Sequence, residues 1–241
     1  MKIKNNLKKI KILKKEIYLK EIQSFVIRRK KLSSFNISII RNFWKKFCIE
    51  FSYIKKKYIF ENCSYPIILD IGFGNGRKLF FDVVKNSKAN FLGVEVYING
   101  ILYCIKKCEK HNIKNLKIIY FDALKVLKYM LLNNSIFKIQ IFFPDPWKKK
   151  KHNKRRLINL MFLSLVRLKL IKNGILHIMT DCKLYYKYIL KNIKIFNCFK
   201  KFFFIENKHK NSNVKFNINT KYENIAKNKK KNIYNIIYKK I

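Results

Sequence analysis

Short apolar runs alternate with stretches of helical periodicity from Pro66 onward, and this alternation limits the possible folds more than any other feature. Strands are predicted over 66–71, 90–96, 116–121, 136–143 and 174–180, and each is followed by a predicted helix. This order is typical of a mainly parallel sheet with helices on both faces. Two later apolar runs, 199–205 and 233–238, predict an antiparallel pair at one edge. The sequence therefore predicts an α/β protein with a seven-stranded sheet.

The residues before this pattern, 1–60, form a predicted N-terminal extension that is basic and rich in aromatic side chains. Apolar residues recur at helical spacing over 3–17 and predict one amphipathic helix. A second aromatic helix, over 43–51, is expected to pack on the main domain. That domain covers 61–241, and its polar stretch 207–232 is rich in Asn and Lys, which predicts a mobile loop.

The chain has 56 basic and 13 acidic residues and a formal net charge of +43. Such a field attracts polyanions, so nucleic acid is the expected partner. Only seven of the basic residues are Arg, and Asn, Ile, Phe and Tyr are also abundant, a composition that indicates an AT-rich coding sequence. Mutational drift toward Lys therefore explains part of the charge. Residue types with GC-rich codons become the more informative ones.

Gly, Pro and Trp are rare in the chain, yet they occur in two clusters. Three of the six Gly lie at Gly72, Gly74 and Gly76, and two of the three Pro flank Asp145, with Trp147 directly after them. The Gly cluster follows a predicted strand, where it allows a tight turn and close approach of the backbone to a ligand. Both clusters are therefore candidate functional segments.

Four successive predicted strands each carry one carboxylate at or near the carboxyl end: Asp70, Glu95, Asp122 and Asp145. Any one of them alone could be a turn or capping residue, and Asp122 is well placed to cap its helix. Together they predict a ligand crevice, because the carboxyl ends of parallel strands meet at one edge of the sheet. Carboxylates suit the sulfonium, ammonium and ribose hydroxyls of S-adenosylmethionine better than the pyrophosphate of a dinucleotide. We therefore expect S-adenosylmethionine as the ligand.

Two segments are strongly basic. Arg28 and Arg29 lie in the first, which is either an arm that contacts phosphates or the charged end of a helix. The second follows Trp147 and contains Lys154, Arg155 and Arg156, which are predicted to hold phosphates. The alternative is a solvated turn, and Trp147 either stacks on a base or, as we favour, packs beneath the loop.

Six Cys without a CxxC pair and four scattered His provide no metal-binding set, so no metal is expected. Free thiols are typical of a reducing compartment. No apolar run reaches the roughly 18–20 residues that span a bilayer, and the N-terminus lacks the apolar core of a secretion signal. We expect a cytoplasmic protein that has no membrane contact, and the alternative is that the basic N-terminus is an organelle-targeting extension.

Six segments together resemble one known family, the bacterial tRNA (guanine-N7-)-methyltransferases. They occur in the family's order between Ser24 and Glu223, and they read SFVIRRKKL, LDIGFGNG, FLGVEV, FFPDPWKKKKHNKRRL, LHIMTD and TKYE. The block around FFPDPW is the specific one, whereas the Gly-rich turn is common to methyltransferases. The resemblance implies a Rossmann-like class I methyltransferase fold and transfer of a methyl group from S-adenosylmethionine to N7 of guanine 46 in the tRNA variable loop.

The resemblance also implies roles for individual residues. Donor binding is expected from Asp70, Gly72, Gly74, Glu95, Asp122 and Asp145, and Asp145 is also the expected catalytic residue. Contacts to the guanine-bearing substrate are expected from Lys149, Asp181, Thr220, Lys221, Tyr222 and Glu223. The oligomeric state is not determined by the sequence, and we favour a monomer.

Three positions depart from the family pattern. Asp70 replaces the usual Glu, Lys151 replaces an Arg, and the segment after Glu223 reads NIAKNKKKN in place of a tail with Arg, Gly and His. A Lys at position 151 lacks the planar fork with which Arg binds phosphate. We therefore expect a working but slow enzyme. Two other possibilities are another RNA methyltransferase of the same fold and a non-catalytic RNA-binding protein that derives from an enzyme.

Overall fold

The computed structural model describes residues 23–26, 32–54, 59–60, 62–202 and 220–241. Within them, eight strands form one sheet. They are β1 (Cys48–Ile49), β2 (Ile67–Ile71), β3 (Asn90–Glu95), β4 (Leu116–Tyr120), β5 (Ile136–Phe142), β6 (Leu170–Thr180), β7 (Phe199–Lys201) and β8 (Tyr234–Lys240). Their order is β1-β4-β3-β2-β5-β6-β8-β7, and only the pairs that include β8 are antiparallel. The predicted antiparallel edge is confirmed.

In the described ranges, seven α-helices connect or flank these strands. They are α1 (Ser34–Phe47), α2 (Arg77–Lys85), α3 (Ile98–Lys110), α4 (Ala123–Lys125), α5 (Leu160–Lys169), α6 (Lys183–Ile193) and α7 (Lys221–Asn228). A π-helical turn over Val126–Met130 continues α4, and a 3₁₀ helix spans Lys150–Arg155. Within the described ranges, none of the helices combines the length and apolar character that crossing a membrane requires.

The strand order reverses beside β2. From β2 the chain runs outward through β3 and β4, then returns to place β5 and β6 on the other side. Connections that leave a sheet in opposite directions open a crevice beyond the carboxyl ends of the strands, which is where open α/β sheets bind ligands. The register sets Asp70 of β2 beside Gly93 of β3 and Gln140 of β5. Asp70 therefore lies at the centre of this edge.

The core is one continuous hydrophobic cluster that extends from α1 to β8. All six residues of β3 are buried, as expected for a strand that is covered on both faces. Trp44 and Phe47 of α1 are buried in the same cluster, which confirms that the aromatic helix packs on the main domain. The next two residues form β1, which pairs with β4. The described part of the sheet therefore has eight strands, one more than the seven predicted. The additional strand is β1, which lies in a segment that the sequence pattern did not predict as a strand.

The stretch 207–232 is not a loop throughout, and this prediction was wrong for α7. Thr220 caps that helix, because its Oγ1 accepts a hydrogen bond from the Glu223 backbone N–H at 3.0 Å while the Glu223 side chain reaches back to the Thr220 N–H at 3.4 Å. This capping box offsets the weak helical pattern of the Lys-rich segment. The altered segment after Glu223 thus supplies the rest of α7, and β8 begins just after it at Tyr234. The predicted helix over 3–17 lies outside the described residues.

Candidate active site

A cavity of about 540 Å³ opens at the carboxyl ends of β2, β3 and β5, and we call it the cleft. The parts of the chain that line it include the Gly-rich turn, the end of β3, the residues after β4, the segment after β5, residues 24–26 and the start of α7. The predicted site residues that line the cleft are Asp70, Gly72, Gly74, Glu95, Asp145, Thr220 and Tyr222. Residues that are distant in sequence therefore meet at the predicted edge of the sheet.

The Gly-rich turn after β2 needs glycine because of its backbone conformation. Gly72, Gly74 and Gly76 have φ of 72°, 62° and 66°, in the left-handed region that side chains disfavour. A Cβ at Gly72 or Gly74 would meet nothing within 4 Å, so the space there is open to a ligand. At Gly76, by contrast, a Cβ would lie 2.5 Å from the Cys104 Sγ of α3. The first two glycines thus leave the cleft open, and the third lets α3 pack closely.

Glu95 is held by main-chain amides at the end of β3. One carboxylate oxygen accepts the Gly74 N–H at 2.6 Å, and the other accepts the N–H groups of Val96 and Tyr97 at 2.6 and 2.9 Å. Burial raises the pKa of this carboxyl, while the three amide donors act in the opposite direction. Glu95 therefore joins the Gly-rich turn to the start of α3 and presents a fixed acceptor to the cleft.

Asp70 is 2% exposed and lies at the floor of the cleft. Its Oδ2 accepts a hydrogen bond from Gln140 Nε2 at 2.9 Å, and the same amide lies 3.4 Å from Asp82 Oδ2. Lys78, which also lines the cleft, forms an ion pair with Asp82. Burial raises the pKa of Asp70 to about 7, and the hydrogen bond from Gln140 opposes that rise. One glutamine thus positions two carboxylates beneath the cleft.

Asp122 behaves as a helix cap. Its carboxylate accepts the Lys125 N–H at 3.0 Å, and Asp122 itself is not among the residues that line the cleft. Its neighbours Phe121 and Ala123 do line the cleft, and the Phe51 ring stacks on Phe121 at 3.9 Å between centroids. The capping alternative is confirmed, and this edge of the cleft is aromatic and apolar.

The segment that follows β5 carries Asp145 into the cleft on a strained backbone. Phe143 and Trp147, on either side of the Pro-Asp-Pro sequence, have φ of 54° and 44°. Non-glycine residues in this region cost free energy, and the surrounding contacts must stabilise them. The Phe143 N–H donates to the Met179 carbonyl of β6 at 2.8 Å, which extends the sheet by one residue. Asp145 is exposed and lines the cleft.

Arg155 is half-buried and is bound to other parts of the protein. Its Nε and Nη2 donate to the carbonyls of Gln23 and Phe25 at 3.0 and 3.2 Å, and its guanidinium lies 3.8 Å from the centre of the Trp147 ring. Trp147 Nε1 donates to the Ser24 carbonyl at 3.2 Å. These contacts hold residues 24–26 against the cleft. The phosphate contact of Arg155 stays a prediction, because its side chain is only partly buried. The preference for a packing role of Trp147 is confirmed.

Arg156 is 6% exposed, so the structure does not support its predicted phosphate contact. Its Nε donates to the Pro146 carbonyl at 2.9 Å, and its guanidinium lies over the rings of Tyr188 and Tyr185 at 4.8 and 5.2 Å. Lys149 and Lys154, by contrast, are exposed, and their phosphate contacts stay predictions. Arg28 and Arg29 lie outside the described residues.

Of the remaining predicted substrate residues, some line the cleft and others form ion pairs or a helix cap. Thr220 and Tyr222 line the cleft, whereas Glu223 caps α7 and pairs with Lys227 at 3.1 Å. Asp181 forms an ion pair with Lys231 at 2.7 Å. Lys221 is the first residue of α7.

Several lining or supporting residues were missed by sequence reasoning. Phe143, Lys78 and residues 24–26 line the cleft, and Gln140 supports it from below. Gln140 left one signal, since it is a polar residue within an otherwise apolar strand. In the part of the chain that the structure describes, no group of three or more His, Cys, Asp or Glu residues could hold a metal ion.

The strand order, the left-handed Gly turn and the carboxylates at the switch in strand order define a Rossmann-like methyltransferase of class I. The family model described as "Putative methyltransferase" matches residues 64–236. A tRNA (guanine-N(7)-)-methyltransferase of Buchnera aphidicola subsp. Baizongia pistaciae is 43% identical over 178 residues, which are 73% of this chain and 73% of the relative. Its counterpart in Buchnera aphidicola subsp. Schizaphis graminum is 38% identical, with 92% of both chains covered. The chain belongs to the tRNA (guanine-N7-)-methyltransferase family.

A solved structure supports the fold. The crystal structure of the aminoglycoside resistance methyltransferase NpmB1 matches 78% of this chain and 98% of its own length, with a TM-score of 0.50 and 10% sequence identity. A likeness at this identity extends to the arrangement of strands and helices alone.

Proposed function

We propose that this protein transfers a methyl group from S-adenosylmethionine to N7 of a guanine in tRNA, at position 46 of the variable loop, in the cytoplasm. The observation that carries the proposal is the cleft itself. It places the buried carboxylates of Asp70 and Glu95 and the exposed carboxylate of Asp145 around one cavity, beside a loop of exposed Lys. The family membership supports the choice of tRNA and of the N7 atom.

The donor set fits a cationic ligand that has no phosphate. Glu95 at the end of β3 would accept hydrogen bonds from the ribose hydroxyls, and Asp70 would face the positively charged methionine portion. Phe121 and Ala123 form an apolar wall that would accommodate the adenine ring. The open space over Gly72 and Gly74 allows the backbone to approach the ligand. When bound, the donor supplies an electrophilic methyl group on a sulfonium.

N7 of guanine has a lone pair and carries no proton, so the chain needs no general base. Its residues contribute positioning and electrostatics. Asp145 would orient the guanine edge and stabilise the positive charge that develops on the ring during transfer. Thr220 and Tyr222, at the start of α7, are far from Asp145 in sequence but line the same cleft. They would hold the base while Asp145 acts on it.

The exposed Lys149 and Lys154 would bind tRNA phosphates near the cleft. Such contacts raise affinity without selecting a base, and they weaken as salt is added. Asp181 is expected to contact the substrate only if its ion pair with Lys231 opens. Asp122 would contribute to donor binding through its backbone and its cap of α4, rather than as a lining side chain.

The test uses methyl-labelled S-adenosylmethionine, unmodified tRNA and the purified full chain, followed by nucleoside analysis. We expect label in 7-methylguanosine, with a guanine-46 substitution in the tRNA abolishing it. Label in another nucleoside or in ribosomal RNA alone would identify a different RNA methyltransferase. Failure to bind S-adenosylhomocysteine in calorimetry would instead identify a non-catalytic RNA-binding protein.

A further inference from the structure

Two aromatic rings face each other across the cleft, and nothing in the methyl donor's chemistry requires them. The rings of Phe143 and Tyr222 are nearly parallel, with an interplanar angle of 29° and a centroid separation of 6.4 Å. Both residues line the cleft, and Asp145 is only two positions beyond Phe143. The pair therefore lies next to the carboxylate that we propose for catalysis.

The separation is close to what a flat base needs. A ring inserted between two others makes a van der Waals contact of about 3.5 Å on each side, which requires about 7 Å between the outer rings. The observed centroid separation of 6.4 Å is smaller than this, so the two rings must move apart to admit a base. Tyr222 is 51% exposed, so there is open space beside its side chain into which the ring can turn.

The two rings are held by independent parts of the fold. Phe143 has a left-handed backbone, and its N–H donates to the Met179 carbonyl, so its position follows from the edge of the sheet. Tyr222 lies in the first turn of α7, whose start is set by the capping box of Thr220 and Glu223. Two independent parts of the fold therefore bring these rings to the same cleft.

We propose that Phe143 and Tyr222 form an aromatic clamp that holds the target guanine between their rings and stabilises its methylated, cationic form. This inference rests on the proposed function and deepens it. Transfer to N7 converts a neutral purine into a cation, and the faces of aromatic rings attract cations. The attraction grows as the charge develops, so the clamp favours the transition state over the bound substrate.

The test compares Phe143→Leu, Tyr222→Leu and Tyr222→Phe in single-turnover methylation of saturating tRNA. Leu keeps apolar volume but has no ring, whereas Tyr222→Phe keeps the ring and loses the hydroxyl. Base stacking on an aromatic side chain is worth about tenfold in an equilibrium, or more. We expect each Leu variant to react at least about tenfold more slowly than the wild type, with Tyr222→Phe within about twofold.

Affinity for S-adenosylhomocysteine, measured by calorimetry, separates the clamp from a structural role. We expect it to be unchanged in all three variants, as we also expect for Tyr103→Leu, a ring on α3 that is 46% exposed and does not line the cleft. The proposal is overturned if the Leu variants react at the wild-type rate, if Tyr222→Phe is as slow as Tyr222→Leu, or if S-adenosylhomocysteine affinity falls in parallel with the rate. No transfer by the wild type would instead refute the proposed function.

Discussion

The carboxyl edge of the sheet and the basic loop at 147–156 are neighbours, but their charged side chains reach their positions in different ways. Asp70 and Glu95 end adjacent parallel strands, so strand direction alone brings them to one cleft. In the loop, eight of the nine residues from Lys148 to Arg156 are basic if His152 is counted, yet the two Arg turn inward. The positions of the acids could therefore be predicted from regular secondary structure, whereas the orientation of the basic side chains in the loop could not.

The chemistry of Arg explains this division within the loop. A guanidinium is planar, donates several hydrogen bonds and stacks on aromatic rings, so it can be buried against carbonyls and rings. Arg155 and Arg156 do both. The ammonium group of Lys is compact and strongly hydrated, and the neighbouring lysines stay at the surface. In a chain with so many Lys, the rare Arg residues of this loop are structural.

Asp145→Asn gives the largest expected effect and tests the acidic edge. The substitution keeps the shape of the side chain but removes the charge that stabilises the cationic ring, so we expect methyl transfer to fall at least about hundredfold. Affinity for tRNA should stay within about twofold, because phosphate contacts dominate it. Rates and tRNA binding are measured in parallel with Glu109→Gln, a surface acid of α3, as the control. An unchanged turnover would remove Asp145 from the mechanism.

Arg156→Ala tests the inward half of the basic loop. The change leaves the Pro146 carbonyl without its donor and removes the stack on Tyr188, so we expect the free energy of unfolding to fall by about 2–4 kcal/mol. Urea denaturation measures it, with Lys154→Ala as the matched control that should not change stability. If Arg156→Ala is as stable as the wild type but binds tRNA weakly, the assignment of Arg156 as a structural residue is wrong.

The pKa of Asp70, raised to about 7, makes the acidic edge sensitive to pH. The native carboxyl keeps its proton between about pH 4 and 7 while the unfolded one has lost it, so stability should decrease as pH rises through that window. S-adenosylhomocysteine has no sulfonium but keeps the ammonium group of the donor, and an ionised carboxylate binds this cation more strongly than a protonated carboxyl does. We therefore expect S-adenosylhomocysteine affinity to increase several-fold from about pH 6 to about pH 7.5.

Calorimetry over that pH range tests the arrangement with two variants. Asp70→Asn should abolish the dependence. Gln140→Leu removes the hydrogen bond that favours the ionised carboxylate, so its binding curve should move to higher pH. A Gln140→Leu curve that coincides with that of the wild type would show that Gln140 does not control Asp70.

Lys154→Ala gives the smallest expected effect and tests the outward half of the loop. Loss of one phosphate contact should weaken tRNA binding a few-fold at moderate salt and lower the slope of log affinity against log salt by about 1. Titrations at several salt concentrations measure the slope. Equal slopes for the variant and the wild type would show that Lys154 does not contact a tRNA phosphate.

Much of the fold could be predicted because its signals are local. Apolar runs of strand length between helical stretches indicated the parallel sheet, and the two last runs indicated its antiparallel edge. The acids at strand ends and the Gly turn could be placed for the same reason, since a parallel strand determines where its carboxyl end lies. α7 escaped notice because a capping box, rather than hydrophobic periodicity, sets its start.

The amino-acid sequence by itself determined the α/β architecture, the edge that carries Asp70, Glu95 and Asp145, and the resemblance to one enzyme family. Only the tertiary structure decided that Arg155 and Arg156 turn inward and that Phe143 faces Tyr222. The physical reason is the distance along the sequence between the residues that interact. Strand and helix patterns arise from neighbours in sequence, whereas Arg155 bonds to carbonyls some 130 residues away. Such contacts exist only after the chain has folded.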